Sequence, residues 1–145
     1  MADYGQLDEF LEPYDVGFGF KGERYEFKID AETALNFHKF WASKTKATEA
    51  DIWDSAAKLI GGGFNKKEYR FTGKVHELQE AGMDVALIDK ILTAIYIQFR
   101  WNNTDLAQEY VIQGSVGKAQ QVLDKRMEVT NLETPKVPGE TNTDD

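Results

Sequence analysis

The sharpest chemical motif in the chain is His76-Glu77-Leu78-Gln79-Glu80. Residues i and i+4 share a helix face, so His76 and Glu80 are spaced to hold a divalent metal, with Glu77 as base, in a variant of the zincin arrangement. The second histidine of that arrangement is missing, and the only other histidine is His38. A His–Glu pair four residues apart is also an ordinary stabilising pair on a solvated helix, which is the expected reading. Phosphate-binding loops fail on their residues. Gly73-Lys74 is followed by Val75, with Glu68 where the first glycine belongs, and Gly117-Lys118 is followed by Ala119, with Ile112 there. No G-x-S-x-G elbow occurs, and Ser43, Ser55 and Ser115 have no nearby histidine to activate them. The carboxylate groups Asp51/Asp54 and Glu77/Glu80/Asp84 fit solvated helix surfaces. The expectation is a protein that is not an enzyme and needs no metal or cofactor.

Aromatic residues are the larger signal. The chain holds 9 Phe, 6 Tyr and 3 Trp, more than the interior of a small helical domain readily absorbs. Phe37, Phe40 and Trp41 fall within five residues on one helix face, Phe99 and Trp101 cluster later with Tyr110, and Phe64, Tyr69 and Phe71 flank Gly61-Gly62-Gly63. Aromatics are enriched at interface hot spots, so Phe37, Phe40, Trp41, Phe99 and Trp101 are expected to contribute to a partner-binding surface.

The elements that must position these residues follow from hydrophobic period. Leu7, Phe10 and Leu11, spaced i, i+3, i+4, suggest a short lead-in turn docked on the body and halted by Pro13. Val16/Phe18/Phe20 and Tyr25/Phe27/Ile29 alternate with small or polar residues around Lys21-Gly22-Glu23-Arg24, the pattern of a β-hairpin. Asp30 caps a helix over about 31–43 with Ala34, Leu35, Phe37, His38 and Trp41 on its broad apolar side. Thr48 and Asp51 open a second helix carrying Ile52, Ala56, Leu59 and Ile60. Gly61-Gly62-Gly63 reads as a flexible joint, and Asn65 as the cap of a third helix over about 66–80. Asp84 opens the strongest helix, to about Trp101, with Val85, Ile88, Leu92, Ile95 and Phe99 along one stripe. Thr104 caps a helix holding Leu106, Ala107, Tyr110 and Val111. The expected fold is α+β and mainly α, a β-hairpin packed on four to five helices. Its expected segments are an acidic lead-in (1–15), a hairpin plus helical core domain (16–112), a weakly helical extension (113–132) and a disordered acidic tail (133–145).

The 145 residues suit one domain. The formal charge of -8 is not spread evenly: the first fifteen residues carry five acids and no base, the last thirteen four acids and Lys136, and the middle is neutral. Such a balance argues against nucleic acid and against an anionic membrane surface as partners. The absence of cysteine excludes disulfides and thiolate chemistry. Met1-Ala2-Asp3-Tyr4 has neither the basic nor the apolar region of a secretory signal, and Ile91 to Ile97 is too short to span a membrane, so a soluble chain is expected.

The order of these features resembles the tail assembly chaperones of long-tailed phages of actinobacteria. The likeness rests on Leu7-Asp8-Glu9-Phe10-Leu11, Gly22-Glu23-Arg24-Tyr25-Glu26-Phe27, Asp30-Ala31-Glu32-Thr33-Ala34-Leu35, Val85-Ala86-Leu87-Ile88, Leu92-Thr93-Ala94 and Trp101 to Tyr110, over roughly residues 6–111. The family's aromatic-Gly before the last helix is Trp101-Asn102 here. The resemblance implies a non-enzymatic protein that binds the tape measure protein and helps recruit the major tail tube protein in the host cell cytoplasm. Such chaperones are usually absent from the mature virion. It further implies a frameshifted longer form as a partner, and Gly117-Lys118 is a dipeptide that a slippery heptamer can encode. A homo-oligomer is a further expected state. The alternative class is a structural virion component, a tail terminator or head–tail connector.

Overall fold

The computed structural model describes residues 1–11 and 14–133. The lead-in makes a 3-10 turn at Asp8–Phe10, and Leu7 and Leu11 are exposed, so these two do not dock on the body as their spacing suggests. The halt at Pro13 lies outside the described residues. The chain is instead pinned one step later. The Tyr14 ring lies 5.6 Å from that of Phe99, and the Asp15 carbonyl accepts from Gln98 Nε2 at 3.5 Å.

Strand β1 (Val16–Phe20) then pairs antiparallel with β2 (Glu23–Phe27), with Val16 opposite Phe27, Phe18 opposite Tyr25 and Phe20 opposite Glu23. The two-residue loop Lys21-Gly22 has φ of 49° and 81°, the left-handed pair of a type I′ turn, whose twist matches that of the strands. Val16 is buried, and Phe18, Phe20, Tyr25 and Phe27 lie half-buried against the core.

Helix α1 (Ala31–Ala42) starts where Asp30 accepts from the Thr33 amide at 2.8 Å. Leu35 and His38 face outward, so its apolar side is narrower than the sequence suggests. Helix α2 (Glu49–Leu59) is capped by Thr48, which accepts from the Asp51 amide at 3.2 Å.

Beyond α2 the structure departs from the expected joint and helix. Residues 62–73 form a second hairpin, β3 (Gly62–Asn65) with β4 (Arg70–Gly73), and only Lys74–Glu80 is helical (α3). Asn65 caps a turn rather than a helix, accepting from the Glu68 amide at 2.9 Å. Tyr69 takes a left-handed φ of 56°, which ends any helix there and turns Phe71 back beside Phe64.

Helix α4 (Val85–Arg100) is capped by Asp84 and packs against α1, α2, α3 and α5. Ile88, Leu92, Ile95 and Phe99 form its buried stripe, while Val85 at its start is exposed. Helix α5 (Thr104–Gln113) is capped by Asn103, one residue before the expected Thr104; the left-handed Asn102 (φ 50°) completes the turn that puts it there. Gly114 (φ 78°) ends α5, and α6 (Val116–Glu133) packs back against it as a continuous helix rather than a weak extension. Ala119 of α6 is fully buried. The expected disordered tail, from 134 on, lies outside the described residues. The fold is α+β and mainly α, with six α-helices and two hairpins among the described residues where four to five helices and one hairpin were expected.

Candidate protein-binding surface

The five aromatics expected at a partner surface divide. Phe37, Trp41 and Phe99 are each under 5% exposed, so in this fold they are core residues, which corrects their assignment. Helices α1 and α4 face one another there. The Phe37 ring stands 6.1 Å from Phe99 and 6.4 Å from Tyr96, and Trp41 stands 5.0 Å from Tyr96, with tilted or edge-on geometry. Trp41 also donates to Ser55 Oγ at 3.1 Å, satisfying its one polar atom, and Ser55 in turn donates to the Asp51 carbonyl at 2.7 Å. Phe40 and Trp101 reach the surface. Phe40 lies at a cleft of about 440 Å³ between α1 and α2, with Lys44 Nζ 5.1 Å from its ring centre. Trp101, about half exposed, leans on Tyr96 at 6.0 Å where α4 ends.

The metal-like motif is an exposed pair on α3, His76 Nε2 standing 3.6 Å from Glu80 Oε2. Among the described residues no three His, Asp or Glu side chains are placed to hold a metal ion. The carboxylates of α2 are not solvated as expected. The Asp51 side chain is almost wholly buried between Lys66 of the β3–β4 loop and Lys44 after α1, and these cations hold its pKa down to about 2 against its desolvation. Asp54 accepts from the Phe64 amide at 2.9 Å and pairs with Lys58 at 2.9 Å. Both carboxylates therefore clamp the second hairpin to α2. A further polar set ties α2, α4 and α5 together. Trp53 Nε1 donates to Asp89 Oδ1 at 2.7 Å, Thr93 approaches the same oxygen at 3.4 Å, and burial raises the Tyr110 pKa beside them.

The recess with the form of a binding surface lies between α5 and α6, a groove of about 740 Å³. Asp105, Gln108, Glu109 and Ile112 follow i, i+3, i+4, i+7 along one α5 face, and Gln120, Leu123, Arg126 and Met127 line the α6 wall. Ile112 is 71% exposed and Met127 66%, so two large apolar side chains face solvent across it. The wall is held by Glu109, which is buried yet charged-paired: Arg126 Nη2 donates to it at 2.8 Å and Gln113 Nε2 at 2.7 Å. Asp105 has no ion pair among the described residues. Sequence reasoning missed this surface, because α6 read as a weak extension and Ile112 fell at a segment boundary. The signal available was the continued i, i+3, i+7 spacing of Val116, Ala119 and Leu123.

The fold defines a mainly helical α+β protein with an open groove between α5 and α6. Compared with protein-family models, curated proteins and solved structures, the chain matches none.

Proposed function

We propose that this chain is a non-enzymatic tail assembly chaperone and that its α5–α6 groove takes an amphipathic helix of the tape measure protein. The observation that carries the reading is the exposure of Ile112 and Met127 on opposite walls of a groove whose two helices the Glu109–Arg126 pair ties together. A groove about two turns long, with Ile112, Leu123 and Met127 set among polar side chains, accepts a helix through anchors at i, i+3 or i+4, and i+7. The unpaired Asp105 at one end favours a client helix with a basic residue beside its apolar ridge. Recruitment of the major tail tube protein, action in the host cytoplasm and absence from the finished particle belong to the same proposal. Here the groove replaces the buried Phe37, Trp41 and Phe99 as the client surface, with the half-buried Phe40 and the exposed Trp101 as secondary aromatics.

The test is co-expression with the tape measure protein of the same phage. The native chain raises its soluble yield several-fold, and the Ile112→Glu/Met127→Glu double variant, altered only at exposed positions, does not. No gain with the native chain overturns the proposal. A stable ring that co-purifies with particles would replace it with the terminator or connector reading.

A further inference from the structure

The free edge of β1 carries a surface of a different kind. In a two-residue hairpin the residues flanking the loop exchange hydrogen bonds, so Phe20–Glu23, Phe18–Tyr25 and Val16–Phe27 are the bonded pairs. The N–H and C=O groups of Gly17 and Gly19 therefore point away from β2, and neither has a partner among the described residues. The opposite edge of the ribbon is blunted: its outward groups belong to Arg24 and Glu26, whose side chains pair at 3.2 Å. Strand β1 has no charge, proline or bulge to protect it, and its outward-bonding residues have no side chain.

We propose that β1 pairs antiparallel with β1 of a second copy about a two-fold axis through Phe18, giving a four-stranded sheet in the order β2–β1–β1–β2. The run Val16-Gly17-Phe18-Gly19-Phe20 reads nearly the same in both directions. Centred on Phe18, this register sets Gly17 opposite Gly19 twice, so every outward amide and carbonyl of one copy meets its complement in the other. It keeps Val16, Phe18 and Phe20 of both copies on the face that each hairpin turns to its own helices. It also sets Asp15 of each copy opposite Lys21 of the other, whose ammonium lies over the Phe20 ring and against Gly82 in the single chain and would swing across to form an ion pair at each end of the interface. A shift by two residues separates those charges. The interface is isologous, as a closed dimer requires. It is independent of the α5–α6 groove.

Sedimentation of the full chain over about 1 µM to 1 mM tests the pairing. The mass is expected to rise from 16.5 kDa toward twice that value. Asp15→Lys and Lys21→Asp each set like charges opposite one another and are expected to raise the dimer dissociation constant about tenfold. The doubly reversed chain returns it to within about threefold of the native value. Lys21→Asp does not endanger the hairpin, because Asp-Gly is a favoured type I′ pair. Hydrogen exchange of the Gly17 and Gly19 amides slows as the dimer forms, while that of Arg24 and Glu26 does not change. Ile112→Glu/Met127→Glu leaves the dimer constant unaltered, so loss of the client and loss of the dimer are separable. A monomer throughout the series overturns the proposal. So does a dimer that ignores both single reversals, or one in which Gly17 and Gly19 exchange at their monomer rates.

Discussion

The two hairpins, with strands of five and of four residues, have opposite supports. The β1–β2 ribbon lies on the outside: one face rests half-buried over Met83, Leu87, Ile91 and Val111, and the other is solvated. The β3–β4 ribbon is clamped between α2 and α3. Phe64 and Phe71 stand 5.2 and 5.3 Å from Trp53, Asp54 holds the Phe64 amide, and Asp51 holds Lys66. Its backbones also approach too closely for side chains. A Cβ on Gly62 would meet the Thr72 carbonyl at 2.8 Å, and one on Gly73 the Gly61 carbonyl at 2.6 Å. A ribbon on the surface has to carry its own pairing information. A ribbon anchored in the core through Phe64 and Phe71 is specified by the helices that close on it.

The largest expected difference follows from burial. Phe71→Ala removes a ring that is 3% exposed and is expected to cost about 3–5 kcal/mol. Phe20→Ala, at a half-buried position of the outer ribbon, is expected to cost about 1–2 kcal/mol. Urea unfolding of the two variants checks this, and equal costs would break the contrast. Close approach comes next. Gly73→Ala puts a Cβ into fixed backbone at a left-handed φ of 64° and is expected to cost about 3 kcal/mol. Gly19→Ala meets only the Glu23 carbonyl at 3.8 Å and is expected to be neutral or to stabilise by about 0.5 kcal/mol.

That contrast also explains what could be read from the residues. Val16, Phe18, Phe20, Tyr25 and Phe27 alternate over two runs around a glycine turn, so the outer hairpin is legible without its surroundings. The inner one offers four residues a side, two of them in a glycine run, and Tyr69 in its loop with Val75 and Leu78 beyond it mimic a helical period. Its determinants, Trp53, Asp51 and Asp54, lie on α2, where carboxylates look solvated until the hairpin covers them. Helix starts at Asp30, Thr48 and Asp84 are legible because a cap acts within three residues. The proposed client surface was not. Periodicity marks Phe37, Trp41 and Phe99 as apolar but does not say whether a helix of the same chain or of another covers them.

Acid sharpens the comparison further. The Asp51 pKa of about 2 lies below the ordinary 3.8, so its contribution is complete above about pH 4 and is lost as pH falls toward 2. The shift corresponds to about 2 kcal/mol. Asp51→Asn is expected to remove that amount at neutral pH and to flatten stability over this acid window in thermal unfolding at stepped pH. The exposed Arg24–Glu26 pair of the outer ribbon has no such weight, and Glu26→Gln is expected to change stability by less than about 0.5 kcal/mol.

The smallest effect distinguishes the turns. Each loop holds one non-glycine residue in the left-handed region, Lys21 at φ 49° and Tyr69 at φ 56°, where asparagine is better tolerated. Lys21→Asn creates the Asn-Gly pair of a type I′ turn and gives up a lysine that lies 5.4 Å from the Phe20 ring and against Gly82, so a gain of about 0.5 kcal/mol is expected. Tyr69→Asn relieves the same backbone, but it removes an edge-on contact 4.9 Å from Phe64 and another 6.4 Å from Trp53, worth about 0.5–1.5 kcal/mol together. The melting temperature is therefore expected to rise for the first change and to stay level or fall for the second, measured at low protein concentration so that pairing between copies does not contribute. If both rise alike, the Tyr69 ring adds nothing to the inner ribbon, and its left-handed backbone is a cost that the surrounding aromatics impose rather than repay.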